Sequence, residues 1–231
     1  MKNHLYAFFI DGVTNLCYGN CLEYFPRGSV ILDVGIGNGI MIREHHALIR
    51  EKGLRIEGID LNEKYLAHCR ELIGEYGLSD QIRVHHAAVE DFTPVNGSLF
   101  DYILFSMSFM LFRDQALVLD RVGPWLNPEG KVVFFQTMFR KRSWFMELVK
   151  PRLKYVTTID FGRVTYEKDF FKLLRGRDLA VLEDRLLKRE WFQGEYRLIV
   201  AGRENGTTAP ASRPGRALPG PTPPGSPSPV P

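Results

Sequence analysis

Apolar segments of strand length alternate with segments of helical periodicity through residues 29–137. The segment 29–34 (SVILDV) is apolar, rich in β-branched residues and flanked by glycines, which is typical of a buried strand. Residues 40–52 place apolar side chains on one helical face and end at a Lys-Gly stop signal. The same reasoning predicts strands at 54–60, 82–86, 100–106 and 131–137, and helices at 62–75 and 115–122, the last with Asp114 as its N-cap. This alternation predicts a parallel sheet with helices on both faces.

The C-terminal part of the domain departs from that alternation. A helix is predicted at 167–175, followed by strands at 180–187 and 196–201. The connection 188–195 is too short for a crossover helix, so these two strands should form an antiparallel hairpin. The predicted fold class is α/β, with three layers and a mixed seven-stranded sheet whose last strand runs antiparallel to the rest. Residues 127–130 (NPEG) are interpreted as a turn before the fifth strand.

Composition divides the 231 residues into one domain and a tail. Nine of the 14 prolines lie in residues 207–231, where Leu218 and Val230 are the only large apolar side chains. We therefore expect a single domain over 1–206 and a disordered or polyproline II tail. The formal net charge of +3 is too small to favour bulk nucleic-acid binding, and no specific nucleic-acid partner is expected.

Cysteine usage and hydropathy favour a cytoplasmic location. Three cysteines, Cys17, Cys21 and Cys69, are an odd and sparse set that suits a reducing compartment. The N-terminal apolar run, 5–10, is shorter than the apolar region of a signal peptide. The longest strongly apolar stretch, 102–112, has 11 residues, whereas a membrane-spanning helix needs about 20.

A glycine-rich loop with a partner carboxylate is the strongest chemical signal. Residues 33–39 (DVGIGNG) join the first strand to the first helix, where glycines let the backbone approach a ligand closely. Asp60 ends the second strand, where a carboxylate can accept hydrogen bonds from ribose hydroxyls. The spacing is G-x-G-x-G rather than the G-x-G-x-x-G of dinucleotide sites, because the sixth position is Ile40. Asp33 would repel a pyrophosphate but suits the ammonium group of S-adenosylmethionine.

Five segments in register resemble the class I S-adenosylmethionine-dependent methyltransferases, particularly the small-molecule group that includes the ubiquinone and menaquinone enzymes. They are ILDVGIGNG (31–39), IEGIDLNEKYLAHCRE (56–71), AAVEDF (87–92), FDYILFSMSFMLFRD (100–114) and WLNPEGKVVF (125–134). The resemblance implies S-adenosylmethionine as cofactor and the strand order 3-2-1-4-5-7-6. It also implies the cofactor-binding residues: Gly35, Gly37 and Gly39 for the methionine portion, Asp33 for its ammonium, Asp60 for the ribose, Leu61, Ala88, Val89 and Glu90 for the adenine, and Ser106 beside the acceptor.

Two positions depart from the family pattern. Ala88-Val89 stands where the family often has Asp-Ala, so adenine recognition would rest on backbone groups or on Glu90. Met110-Leu111 replaces a histidine pair common in relatives, and no general base and no metal site are identified. The acceptor is therefore expected to be small and fairly apolar, and the residues expected to face it, or else to belong to the core, are Met107, Phe109, Met110, Leu111 and Phe112. Cys17 and Cys21, four residues apart, are interpreted as buried apolar side chains, with a soft-metal site as the alternative.

A basic aromatic segment follows the fifth strand. Residues 139–155 carry a local charge of +5 beside apolar side chains. Such a segment can contact an anionic membrane peripherally or bind an acidic substrate, and packing on the domain is the alternative. Two other functions stay open: a non-catalytic cofactor-binding or interaction module, and an NAD-dependent oxidoreductase. RNA methylation is less favoured, because no Asn-Pro-Pro-aromatic motif follows the fourth strand.

Overall fold

The computed structural model describes residues 2–140, 164–189 and 194–203. The predicted tail at 207–231 and most of the basic segment, 141–155, lie outside the described residues. No helix within the described ranges is long and apolar enough to cross a bilayer.

Helices and strands alternate along the chain as the hydrophobic pattern predicts. The helices are α1 (Lys2–Tyr24), α2 (Ile40–Lys52), α3 (Glu63–Glu75), α4 (Gln115–Val122) and α5 (Glu167–Arg175). The strands are β1 (Val30–Val34), β2 (Arg55–Asp60), β3 (Ile82–His86), β4 (Phe100–Ser106), β5 (Leu126–Phe139), β6 (Thr165–Tyr166), β7 (Leu179–Arg189) and β8 (Glu195–Arg203).

The strands form one mixed sheet in the order β3-β2-β1-β4-β5-β8-β7. The first five are parallel, and β8 runs antiparallel to both of its neighbours. Apart from β6, this is the predicted order, with the predicted antiparallel last strand. The two residues of β6 pair in parallel with the end of β5. A strand of that length carries no periodicity, which is why the sequence predicted seven strands rather than eight.

The prediction of a turn at 127–130 is wrong, because these residues form a bulge within β5. Phe100 pairs with Leu126 and Tyr102 pairs with Lys131, so four β5 residues lie opposite one residue of β4. That residue, Asp101, accepts a hydrogen bond from the Asn127 side chain at 2.6 Å and another from the backbone N–H of Val30 at 2.8 Å. The carboxylate thus holds the bulge against the start of β1, and the strand continues through it.

Alternate residues of each strand face two separate apolar layers. One layer packs the sheet against α1, α2 and α3, and the other packs it against α4 and α5. Neighbours in β1 illustrate the alternation, since Ile31 enters the first layer and Leu32 the second. The described residues therefore form the three layers predicted from the sequence, with burial of each large apolar side chain contributing about 1.5–3 kcal/mol.

Close packing of the glycine-rich loop on β2 requires a glycine at position 58. A Cβ there would lie 2.4 Å from Cδ1 and 3.0 Å from Cβ of Ile36, the buried residue between the first two loop glycines. Gly58→Ala should therefore displace Ile36 and destabilise the fold by about 1–3 kcal/mol in denaturant unfolding.

Gly74 in α3 provides the matched control, because a Cβ there would meet no atom within 4 Å. Gly74→Ala should stabilise the protein by about 0.5–1 kcal/mol through lower backbone entropy in the unfolded chain. Equal effects of the two substitutions would contradict the packing of the loop on β2.

Candidate functional site

The glycine-rich loop turns sharply between β1 and α2 through three left-handed glycines. Gly35, Gly37 and Gly39 have φ angles of 84°, 69° and 83°. Two of them are also crowded: a Cβ at Gly35 would lie 2.7 Å from Cβ of Ser108, and one at Gly39 would lie 2.8 Å from Cδ1 of Leu72. Larger residues are excluded by backbone conformation and by space at both positions. A Cβ at Gly37 would meet nothing within 4 Å, so this glycine borders open space.

The first N–H groups of the loop bind the protein itself. Gly35 and Ile36 both donate to the carbonyl of Ile59, at 2.8 and 3.2 Å, and Gly37 donates to Oδ2 of Asp60 at 2.9 Å. These bonds fix the loop over the end of β2. A ligand in the loop would therefore use the glycine Cα surface and the N–H groups further along, rather than these three.

Asp60 is half-buried at the end of β2 and links the loop to α3. Its Oδ2 accepts from Gly37, and its Oδ1 accepts from the backbone N–H of Asn62 at 2.8 Å. Asn62 is the N-cap of α3. Because each carboxylate oxygen can accept more than one hydrogen bond, Asp60 is held in a fixed orientation and can still accept from a diol.

Asp33 is fully buried at the end of β1, on the face covered by α1. Its Oδ2 accepts a hydrogen bond from the Tyr18 hydroxyl at 2.9 Å, whereas its Oδ1 is buried and has no partner among the described residues. A buried polar atom without a partner is rare and costs about 1–3 kcal/mol or more when charged. This oxygen is therefore suited to a ligand that carries a hydrogen-bond donor or a positive charge.

Burial raises the pKa of Asp33 from the ordinary 3.8 to about 7. The hydrogen bond from Tyr18 lowers this pKa, and the nearby Asp60 raises it. Burial also raises the pKa of Tyr18 well above its usual value, with a further contribution from the Asp33 charge, so the Tyr18 hydroxyl keeps its proton and acts as the donor.

Ser106, at the end of β4, lies on the same face and contacts α1. Its Oγ shares a hydrogen bond with Sγ of Cys17 at 3.1 Å, and both groups are buried. Burial and the neighbouring Cys21 raise the pKa of Cys17 well above its usual value, so the thiol stays protonated. Both cysteines are fully buried, as interpreted from the sequence, and a protonated thiol is a poor ligand for a soft metal.

The backbone immediately after β4 is strained. Met107 has a φ of 57°, which is uncommon for a residue with a side chain, and its N–H donates to the carbonyl of Phe135 at 2.8 Å. Of the apolar residues expected to face an acceptor, Phe109 and Met110 are buried in the domain. Leu111 is exposed, and Met107 and Phe112 are half-buried.

The residues expected beside an adenine lie in a turn after β3 and in the connection between β2 and α3. Val89 is buried in the core, Ala88 is half-buried, and Glu90 is exposed. The Ala88 carbonyl accepts from the N–H groups of Asp91 and Phe92, at 3.1 and 2.9 Å. Leu61 is 70% exposed, an unusual position for a leucine that follows a buried strand, and it leaves an apolar surface beside Asp60.

The structure adds contacts from α1 that the sequence did not specify. The bond of Tyr18 to Asp33 was not predicted, and neither was the contact between Cys17 and Ser106. Both contacts depend on how α1 packs against the sheet, and no local motif encodes that packing.

Comparison with known proteins shows similarity to methyltransferases. A family model described as "Methyltransferase domain" matches residues 31–130. Glycine/sarcosine/dimethylglycine N-methyltransferase from Actinopolyspora halophila is 28% identical over 71% of this chain, and the match spans 31% of that relative. Ubiquinone biosynthesis O-methyltransferase from Neisseria meningitidis serogroup C is 25% identical over 78% of this chain and 72% of the relative.

Solved structures share the fold. A geranyl diphosphate methyltransferase in complex with S-adenosylmethionine superposes with a TM-score of 0.65 and 16% identity, covering 84% of this chain and 85% of that one. The family model and the two relatives agree with the resemblance to methyltransferases, and the solved structure agrees with the fold. The chain spans about a third of the length of the first relative.

The raised pKa of Asp33 predicts a pH-dependent effect of Asp33→Asn on stability. Between the unfolded value of about 4 and the folded value of about 7, the folded protein holds a proton that the unfolded chain has lost. The wild-type protein therefore loses stability as the pH rises through this range, and the asparagine variant does not incur this loss. The stability of the variant relative to the wild type should be about 2 kcal/mol more favourable at pH 8 than at pH 5.

Denaturant unfolding at the two pH values measures this difference. Asp80→Ala, at an exposed carboxylate away from the loop, is the control and should show no such change. If the difference in unfolding free energy between Asp33→Asn and the wild type is the same at both pH values, the pKa of Asp33 is not raised in the folded protein.

Proposed function

We propose that this chain is a class I S-adenosylmethionine-dependent methyltransferase, which transfers the methyl group of S-adenosylmethionine to a small and fairly apolar acceptor. Oδ1 of Asp33, which has no partner among the described residues, supports this proposal most directly. It is a buried carboxyl oxygen at the end of β1, next to a glycine loop that borders open space, and the cofactor carries an ammonium group with which the ionised carboxylate would pair.

The residues at the ends of β1, β2 and β4 would each bind a different part of the cofactor. Asp33 would hold the ammonium and Asp60 the ribose hydroxyls, while the apolar surface of Leu61 would pack on the adenine. Ser106 would lie where the methionine end meets the acceptor. The full proposed set is Asp33, Gly35, Gly37, Gly39, Asp60, Leu61, Ala88, Val89, Glu90 and Ser106.

Methyl transfer from a sulfonium depends more on positioning the acceptor and the cofactor than on acid–base catalysis. The cofactor supplies a sulfonium methyl group, and charge cancels as it moves to a nucleophile by in-line displacement. What the protein contributes is a fixed approach geometry and exclusion of water. The buried aromatic side chains after β4 and the protonated Cys17 and Tyr18 leave the described part of the site free of an evident base. An acceptor that is already nucleophilic without losing a proton therefore fits best.

The names of two relatives suit a small-molecule acceptor, since one is a glycine/sarcosine/dimethylglycine N-methyltransferase and the other is an O-methyltransferase of ubiquinone biosynthesis. Two others are named for protein arginine and ribosomal RNA methylation. Peripheral membrane contact through residues 139–155 stays a prediction, which co-sedimentation with anionic vesicles can address.

Calorimetric titration with S-adenosylhomocysteine tests the cofactor site. The wild-type protein should bind it with a dissociation constant of tens of micromolar or tighter. Asp60→Ala should weaken binding by about 1–3 kcal/mol, because the ribose loses charged hydrogen bonds. Asp80→Ala, the exposed control, should leave the affinity unchanged.

Two results would contradict the proposal. One is the absence of S-adenosylhomocysteine binding at these concentrations, and the other is tighter binding of NAD or NADH, which would favour an oxidoreductase. An unchanged affinity in Asp60→Ala would show that the ribose assignment is wrong.

A further inference from the structure

Gln136 is a fully buried polar residue that the cofactor site does not use. It lies on β5 directly after Phe135, which pairs with Ser106 at the end of β4. Parallel strands lie about 4.8 Å apart, so Gln136 is within a few ångströms of the edge where β4 ends. The glycine loop, Asp33 and Asp60 belong to the same edge of the sheet, although the Gln136 side chain faces the layer opposite to that of Asp33 and Ser106. An acceptor that reached both would extend across the ends of β4 and β5.

Both polar atoms of the Gln136 amide lack a partner among the described residues. Neither Oε1 nor Nε2 forms a hydrogen bond within these ranges, and no other buried side chain there has two such atoms. Each unmade bond of a buried amide is costly, and the great majority of buried polar atoms are paired. A methionine would fill similar space without this cost, so the glutamine needs another explanation.

The surroundings of Gln136 are apolar and aromatic. Phe134 and Met138, two residues before and after it, share its side of the sheet and belong to the layer covered by α4 and α5. The ring of Phe134 lies 4.8 Å from that of Phe109, in the turn after β4, and 5.1 Å from that of Phe170 in α5. A ligand that reached the amide would therefore meet aromatic surface around it.

The charged residue that pairs with Gln136 in the sheet already forms ion pairs within the protein. Arg197 lies opposite Gln136 on β8, and its guanidinium binds Asp184 and Glu167. It has little capacity left to balance a ligand charge. A neutral ligand group is therefore the better match for the amide, since an unbalanced charge in this apolar layer would be strongly disfavoured.

We propose that Gln136 determines acceptor specificity, by pairing its amide with a neutral group of the acceptor that presents a hydrogen-bond donor and acceptor side by side. A carboxamide or lactam edge has this arrangement, with a C=O to receive Nε2–H and an N–H to donate to Oε1. The body of such an acceptor would be aromatic or otherwise apolar. This inference rests on the proposed methyl transfer and specifies its substrate class.

Thermal unfolding of Gln136→Met tests whether the amide is unpartnered. Removing a group that forms no bonds should leave the melting temperature unchanged or raise it by a few degrees. Gln81→Met is the matched control, because Nε2 of Gln81 donates to the carbonyls of Ile49 and Leu54 at 2.9 and 3.0 Å. That variant should lose about 4 °C or more. A comparable loss in Gln136→Met would overturn the proposal, since the amide would then be bonded within the protein.

Ligand titration followed by NMR tests recognition of the amide edge. Benzamide is the probe and toluene, which lacks the amide, is its control, both added to protein saturated with S-adenosylhomocysteine. Benzamide should bind the wild-type protein and lose about tenfold or more in affinity in Gln136→Met, while the affinity for toluene stays unchanged. Equal benzamide affinity in the two proteins, or no benzamide binding to the wild type, would overturn the proposal.

The outcomes separate this inference from the proposed function. Failure of S-adenosylhomocysteine to bind the wild type contradicts the proposed function, and the two melting temperatures still decide whether the Gln136 amide is free. Normal S-adenosylhomocysteine binding combined with unchanged benzamide affinity rejects only the role of Gln136.

Discussion

A carboxylate buried without a full set of partners constrains the whole candidate site. Asp33 lies at the end of β1, where one of its oxygens accepts a hydrogen bond from Tyr18 and the other has no partner in the described part of the chain. Burial raises the pKa of Asp33 to about 7. Tyr18 brings α1 against this end of the sheet. The first loop glycine, Gly35, follows Asp33 by two residues. In the unliganded protein the arrangement costs stability, and a cationic ligand group would offset the cost. The fold therefore maintains an unsatisfied acceptor at the position where a ligand would supply the missing partner.

Most of the fold could be predicted from the sequence, because parallel α/β sheets have strong local signals. Buried strands such as 29–34 are continuous apolar runs, and the helices between them end at glycines or begin at polar caps. The bulge in β5 could not be predicted in this way. Its residues have the composition of a turn, and what keeps them within the strand is Asp101, 26 positions away from Asn127 in the sequence.

In the candidate site too, features with a local sequence signal could be predicted, and features set by contacts distant in sequence could not. The glycines, Asp33 and Asp60 follow one another at fixed offsets, so spacing identified them. The contacts of Tyr18 and Cys17 depend on the packing of α1, and the apolar residues after β4 cannot be divided into core and surface by pattern alone. Phe109 and Met110 proved to be buried and Leu111 exposed, although all three have similar hydropathy. Gln136 is a polar residue in an otherwise apolar strand, and its burial becomes evident only in the structure.

The number of protons released when S-adenosylhomocysteine binds tests the central claim most directly. Calorimetry at pH 6 in two buffers of different ionisation enthalpy measures it. At that pH most Asp33 carboxyls hold a proton, and pairing with the ligand ammonium should displace it, so we predict the release of about one proton per ligand bound. Release should disappear at pH values well above 7 and in Asp33→Asn. Binding at pH 6 with no proton released would contradict the account, because Asp33 would then not be the group that receives the ligand.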